Sequence, residues 1–255
     1  MNASRAVRAA ALCCVVAACQ TSPADEIAPD ARLRVAFAAE NSGNVGFARS
    51  MYAAAAAEGA GDRTIGLRAA AGLARSGGPA DAMAVLDGLT RSWPKDLEAR
   101  RMLGTLQIMN GLPGEAHRSF STILAARPDD DDARINLGVA LDMLGHHPEA
   151  RVLYRAVLAK TPSDPRVAND LALSLLLSGQ RAEAGAVLQP FRGRLDLPER
   201  MQSTMALLDG TAAAPGTASA DPADPGMALM SRVLNERAAV PDRVTPAIRP
   251  GLFRQ

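Results

Sequence analysis

The fold is indicated by one stretch of the chain, residues 131–164, which reads DDARINLGVALDMLGHHPEARVLYRAVLAKTPSD. A turn signal at Gly145 divides two apolar patterns of helical spacing. Two small residues and one large residue, here Gly138, Ala150 and Tyr154, have counterparts of the same size at fixed distances along the chain. When the sequence is compared with itself, this pattern returns about every 34 residues without a gap.

The period defines five consecutive units, and shared residue types mark the same positions in each. Positions 8 and 20 are small in every unit, and position 24 is large and apolar. Small residues let two antiparallel helices approach closely, and the large residue fills the space beside them. Position 15 is the glycine expected after a helix. The units are 29–62, 63–96, 97–130, 131–164 and 165–198, and their position-15 glycines are Gly43, Gly77, Gly111, Gly145 and Gly179.

This spacing resembles the tetratricopeptide repeat, abbreviated TPR. The resemblance implies an all-α fold, a right-handed α-solenoid of five 34-residue helix-turn-helix repeats. Residues 199–210 continue the pattern of a first helix, but no second helix follows them. A terminal repeat must hide its apolar face, so we predict that this helix caps the stack.

The first 28 residues indicate export and anchoring rather than a folded unit. Arg5 and Arg8 precede a ten-residue apolar run, about half the length that a membrane-spanning helix needs. The run ends in VAAC at residues 16–19, which resembles a bacterial lipobox and implies lipidation of Cys19 after cleavage of the signal peptide 1–18. Residues 19–28 are predicted to form a polar tether, and by analogy with enterobacterial lipoprotein sorting Gln20 implies the periplasmic face of the outer membrane rather than the inner membrane. An ordinary cleaved signal peptide is the alternative.

Beyond residue 210 the composition changes. Residues 211–226 are rich in Ala, Pro, Gly and Thr and predict a flexible linker. Residues 227–240 predict a short helix with Met227, Met230, Val233 and Leu234 on one side. Residues 241–255 contain three prolines and predict an unstructured tail.

Catalysis, metal binding and nucleic-acid binding find little support in the sequence. All three cysteines lie within the first 19 residues, so the body has no thiol to act as a nucleophile or ligand. The adjacent His146 and His147 lie in the turn between the two helices of a repeat. We therefore predict that both side chains are solvated and bind no metal. The run 129–132 predicts a helix cap between repeats rather than a calcium loop. A net charge of +1 gives little attraction to nucleic acid. We therefore predict a non-enzyme with no cofactor and no small-molecule substrate.

Protein binding is the activity that the repeats favour. In the TPR family, the concave face is lined mainly by positions 2, 5, 9, 12 and 13 of the first helices. That resemblance implies an apolar groove with scattered polar groups, suited to an amphipathic helix or an extended peptide. The alternative is that some of these side chains pack only between helices. The predicted contact residues are Phe37, Leu67, Arg101, Thr105, Ile108, Met109, Ile135, Val139, Asp142, Met143, Asn169, Leu173, Leu176 and Leu177.

Two stretches go beyond a generic repeat. NLGVALDMLG at residues 136–145 and NDLALSLLLSG at residues 169–179, with the helix after them, resemble the TadD-like lipoproteins of tight-adherence (Flp/Tad) pilus systems. The resemblance implies an outer-membrane lipoprotein scaffold that helps to assemble the pilus secretin through protein contacts. A periplasmic regulator docked on a cell-wall enzyme is the second hypothesis, and a TPR-bearing enzyme is the third.

Overall fold

The computed structural model describes residues 28–210, in which eleven α-helices and no strands are found. This confirms the all-α prediction. The helices form five pairs and one single helix, with a short 3-10 turn at Gln189–Phe191. Their bounds are α1 Pro29–Asn41, α2 Val45–Glu58, α3 Arg63–Arg75, α4 Pro79–Ser92, α5 Leu97–Met109, α6 Pro113–Ala126, α7 Asp131–Met143, α8 His147–Leu158, α9 Pro165–Leu177, α10 Arg181–Leu188 and α11 Glu199–Asp209.

The first helix of every unit begins where the sequence period places the start of that unit, at residues 29, 63, 97, 131 and 165. The glycine at position 15 then turns the chain into the second helix. All five of these glycines have a positive φ, between 71° and 80°, which a residue with a Cβ atom adopts only at a cost. The short turn therefore makes the two helices of a unit antiparallel neighbours.

The two helices of a unit are packed through a small residue facing a large one. Gly138 of α7 lies so close to Tyr154 of α8 that a Cβ atom built on the glycine would be 2.6 Å from the ring Cε1. Gly104 of α5 approaches Phe120 in the same way, with its Cβ position 2.9 Å from two ring atoms. Both aromatic rings are buried. The positions that sequence reasoning paired as small and large are thus in contact.

Four aspartates at position 34, the last of a unit, start the first helix of the next unit. Asp62, Asp96, Asp130 and Asp164 are the N-caps of α3, α5, α7 and α9, and each side chain accepts at least one backbone N–H of the helix that it precedes. The cap within the predicted turn 129–132 is therefore Asp130, whose Oδ1 lies 2.9 Å from the nitrogen of Ala133.

Two of these caps also bind an arginine from the first helix of their own unit, so that each links this helix to the first helix of the next unit. Arg63, the first residue of α3, contacts Asp96 with its Nε 2.6 Å from Oδ2, and Arg101 of α5 contacts Asp130. Burial opposes ionisation of both aspartates, but the arginine and the backbone donors outweigh it and lower the pKa of each. One carboxylate thus caps a helix and pairs with a cation of the preceding first helix.

The units stack in sequence, because each second helix packs against its own first helix and against the first helix of the next unit. The helix α11 packs against α9 and α10, which is the placement expected of a capping helix. Arg200 of α11 contacts the buried Asp170 of α9, with 3.0 Å between Nη2 and Oδ1.

The opposite end of the stack has no such cover among residues 28–210. Val35, at position 7 of the first unit, is 40% exposed, whereas the residues at position 7 of the later units are buried by the preceding second helix. Among the described helices, none combines the length and the apolarity needed to cross a bilayer. The predicted signal peptide, the tether up to residue 27, the linker 211–226, the helix 227–240 and the tail 241–255 lie outside the described residues.

Candidate partner-binding face

The first helices of the units form one layer of the stack. The helix pairs α1–α3, α5–α7 and α7–α9 are in direct contact, and no two second helices within residues 28–210 pack together as closely. Side chains that project from this layer away from the second helices form the face predicted to bind a partner. We refer to it as the first-helix face.

The structure buries many of the predicted contact residues. Leu67, Ile108, Ile135, Val139 and Leu173 are between 2% and 8% exposed, because adjacent first helices pack closely at positions 5, 9 and 12. These residues therefore affect the shape of a binding surface, but they do not offer side chains for contact with a partner. A substitution at any of them would test packing rather than binding.

The accessible part of the predicted set is smaller. Phe37 in the first unit is 43% exposed. Six further members are partly buried and still reach the surface: Arg101, Thr105, Met109, Met143, Leu176 and Leu177. Three of them, Met109, Met143 and Leu177, end the first helices of units 3, 4 and 5 at position 13.

Two polar members of the predicted set, Arg101 and Thr105, have structural partners. Arg101 pairs with Asp130, and Thr105 donates its hydroxyl to the Arg101 carbonyl oxygen, 3.0 Å away. Asn169 is only 2% exposed, and within residues 28–210 no donor reaches its Oδ1. On the accessible face, the residues at the ends of the first helices are therefore apolar, and the polar residues Arg101 and Thr105 are hydrogen-bonded within the chain.

Asp142 is the centre of a buried polar cluster that sequence reasoning did not find. Its Oδ1 accepts the hydroxyl of Ser174 at 2.7 Å and lies 2.9 Å from Nδ1 of His147, while its Oδ2 accepts the hydroxyl of Tyr154 at 3.0 Å. Burial raises the pKa of Asp142, although all three neighbours favour its ionised form. The cluster joins both helices of unit 4 to the first helix of unit 5.

Two predictions about single residues change with this cluster. The prediction that both turn histidines are solvated is wrong for His147, whose side chain is 22% exposed and bound to Asp142, whereas His146 is exposed. Asp142 is not an accessible polar group of the groove. Among the described residues no group of three or more histidine, cysteine or acidic side chains is placed to hold a metal ion.

A related cluster lies at the same positions of the first unit. Tyr52, like Tyr154 at position 24, donates its hydroxyl to a carboxylate at position 12, here Glu40 at 2.7 Å. Arg75 of the next unit binds the same carboxylate, with its Nε 2.7 Å from Oε1. Burial disfavours the charged Glu40, but the bonds from Arg75 and Tyr52 outweigh it and lower its pKa. The recurrence of an acid at position 12 with a tyrosine at position 24 was the signal in the sequence for both clusters.

Comparison with known proteins supports the assignment of the repeats. Residues 108–173 match the family model described as tetratricopeptide repeat. A tetratricopeptide repeat protein from Parabacteroides merdae ATCC 43184 superposes with a TM-score of 0.64 at 16% identity, covering 86% of this chain and 80% of that one. The chain has the tetratricopeptide-repeat fold.

Two further structural neighbours are structures of MamA. One superposes with a TM-score of 0.54 at 18% identity, covering 76% of this chain and 98% of that one. The other, MamA 41-end from Desulfovibrio magneticus RS-1, gives a TM-score of 0.55 at 16% identity, covering 64% of this chain and 92% of that one. No curated protein matches the chain in sequence. At these identities the neighbours establish the fold alone.

The TPR fold is typically a scaffold for protein–protein interaction. Its stacked units provide an extended surface that can bind helices or peptides non-covalently. A protein partner is therefore the class of ligand that the fold implies.

Proposed function

We propose that this chain is a lipid-anchored TPR scaffold on the periplasmic face of the outer membrane, which assists assembly of the secretin of a Tad/Flp-type pilus. Three features support the proposal. They are the stack of five repeats, the lipobox resemblance that ends at Cys19, and the resemblance of residues 136–145 and 169–179 to TadD-like lipoproteins. The observation that carries the binding role is the accessible row of four apolar residues and one threonine on the first-helix face.

Contact with the partner is proposed for the accessible residues only. Thr105, Met109, Met143, Leu176 and Leu177 lie at positions 9, 12 and 13 of three consecutive first helices and keep part of their surface exposed. Successive first helices lie about 10 Å apart, so these residues present a row that a helix or strand of a partner can follow. The buried members of the predicted set hold this row in place.

Anchoring and the pilus role are tested together in cells. Deletion of the gene should reduce heat-stable secretin multimers, and the wild-type chain should restore them. Cys19→Ser should move the protein from the membrane fraction to the soluble periplasm, because the thiol that carries the acyl chains is lost. Secretin multimers that stay normal in the deletion strain would refute the pilus role, and a Cys19→Ser chain that stays in the membrane fraction would refute the lipid anchor.

The first-helix face is tested by adding charge to it. Thr105→Arg combined with Leu176→Arg should weaken capture of the secretin at least tenfold in a pull-down, about 1.4 kcal/mol, because two buried contacts would each receive an unpaired charge. The control is Val152→Arg on the outer helix α8, where the native side chain is 64% exposed. Circular dichroism should show equal helical content in all three proteins. Undiminished capture by the folded double variant would exclude the face as the binding site.

A further inference from the structure

An apolar strip runs along the edge of the stack formed by the turns of units 3 to 5. It consists of Met109, Leu112, Met143, Leu144 and Leu177, and we refer to it as the turn edge. Leu112 is 37% exposed and Leu144 is 41% exposed, and the other three are partly buried. Each lies in the last turn of a first helix or in the turn that follows it. Because the units repeat in parallel, these turns line up on one edge.

Acidic side chains border the turn edge. Glu115, Glu149 and Glu183 occupy position 19 in units 3, 4 and 5, in the first turn of each second helix, and all three are exposed. The second helices begin directly after the turns, so this acidic row lies beside the apolar strip. Their local partners are Gln107 at 3.3 Å from Glu115, His146 at 3.8 Å from Glu149, and both Arg155 and Gln180 at Glu183. The combination of apolar and acidic groups suits an amphipathic segment that carries arginine.

The chain leaves the solenoid at the same edge. Arg181, the first residue of α10, donates from Nη2 to the carbonyl oxygens of Leu207 at 2.8 Å and Leu208 at 2.5 Å. These carbonyl groups belong to the last turn of α11, and Arg181 follows the turn of unit 5. Gly210, the C-cap of α11, therefore lies beside the turn that follows Leu177.

Residues 227–240, outside the described part of the chain, have the composition that this edge requires. The sequence MALMSRVLNERAAV places its apolar residues at helical spacing and carries Arg232 and Arg237. Residues 227–255 contain five arginines and two acids, Glu236 and Asp242, a net charge of +3 (5 − 2). The charge is opposite to that of the acidic row.

The dimensions also agree. A helix of this length spans about 21 Å, which matches two intervals of about 10 Å between first helices. Met227 and Leu234 are seven residues apart, about 10.5 Å along a helix, and so are Val233 and Val240. If residues 211–226 form the predicted flexible linker, their 16 residues cover about 22 Å on average, enough to reach from α11 to α7.

We propose that residues 227–240 dock as an amphipathic helix along the turn edge of units 3 to 5 of their own chain. The linker 211–226 keeps the segment at an effective concentration of about a millimolar, well above that of a separate partner. The docked segment covers Met109, Met143 and Leu177, three of the residues predicted to contact a partner. A partner that uses this end of the first-helix face must displace the segment, whereas the docking itself does not depend on the identity of any partner.

Disulfide cross-linking in the full chain tests this docking. The native cysteines at positions 13, 14 and 19 are replaced by serine, so that the introduced pair provides the only thiols. Leu144→Cys with Leu234→Cys should form an intramolecular disulfide at least ten times faster than the control pair, Val152→Cys with Leu234→Cys. Val152 lies in the same unit and is more exposed than Leu144, so accessibility alone would favour the control pair.

Two further measurements sharpen the outcome. Adding Arg232→Glu and Arg237→Glu to the first pair should slow its cross-linking to the rate of the control pair, because the acidic row would then repel the segment. The rate should not change between about 1 and 50 µM protein, since a tethered reaction is unimolecular. Equal rates for the two pairs, or a rate unaffected by the arginine reversal, would overturn the proposal. Cross-linked dimers that increase with concentration would replace it with docking between two copies.

Discussion

Gly72→Ala is expected to destabilise the protein by about 3 kcal/mol, near the upper end of what an added methyl group costs in a packed core. Gly72 lies in α3, and its neighbour is the ring of Tyr52 from the preceding unit. A Cβ atom on Gly72 would be 2.5 Å from the ring Cδ1 and closer still to Cε1 and Cζ. The clash therefore falls on the interface between units 1 and 2.

The ring cannot move away cheaply. Tyr52 is 3% exposed, and its hydroxyl is bonded to Glu40, which is itself held by Arg75. Displacing the ring would break its hydrogen bond to the half-buried Glu40 carboxylate, which would then be paired less well. The measurement is urea-induced unfolding followed by far-ultraviolet circular dichroism.

Gly88→Ala is the matched control, because Gly88 also lies inside a helix, α4, but no atom is within 4 Å of its Cβ position. Alanine there should raise the free energy of unfolding by about 0.5–1 kcal/mol through its better helix propensity. If Gly72→Ala leaves the unfolding midpoint unchanged or raises it, as Gly88→Ala should, the close packing of Gly72 on Tyr52 is refuted.

Asp142→Ala is expected to cost a similar amount, about 3 kcal/mol, because it leaves three buried or half-buried partners without their acceptor. Asp142→Asn should cost about half as much, since the amide oxygen can still accept from Ser174 and contact His147, and only the bond from Tyr154 must change. Chemical denaturation at pH 7 measures both. A loss below about 1 kcal/mol for the alanine variant would show that the cluster contributes little to the joint of units 4 and 5.

The pH dependence separates the charge of Asp142 from its hydrogen bonds. Because burial raises the pKa of Asp142 in the folded protein, the folded state holds the proton more tightly than the unfolded state does. Stability from this group is therefore present at low pH and decreases as pH rises through the folded pKa. The free energy of unfolding of the wild type should accordingly exceed that of Asp142→Asn by a growing amount as pH falls from neutral towards the ordinary pKa range of an aspartate. A difference that shrinks over this interval would contradict the raised pKa.

Much of the fold could be predicted from the sequence, because packing in a repeat is local and recurs. The glycine at position 15 and the small-against-large contact, seen at Gly138 and Tyr154, each follow from the size or backbone freedom of one residue type. Repetition at a fixed period made every such position visible five times.

The binding face was less predictable, because exposure depends on how closely neighbouring first helices approach. Val139 and Leu173 have the residue types of an apolar groove, yet they are buried between those helices. The cluster around Asp142 joins three helices, and Ser174 lies 32 positions away in the chain, so no local pattern identifies it as a partner. The aspartates at position 34 did recur in the sequence, as four N-caps one period apart.

Those N-cap aspartates have a consequence for how the stack behaves when it is stressed. Asp96 is the N-cap of α5 and also binds Arg63 of α3, and Asp130 is the N-cap of α7 and also binds Arg101 of α5. When a unit that supplies such an aspartate unfolds, the first helix of the next unit loses its N-cap, so unfolding of one unit weakens the unit that follows it. When the stack is pulled or heated, the repeats should therefore unfold cooperatively, in groups larger than a single repeat.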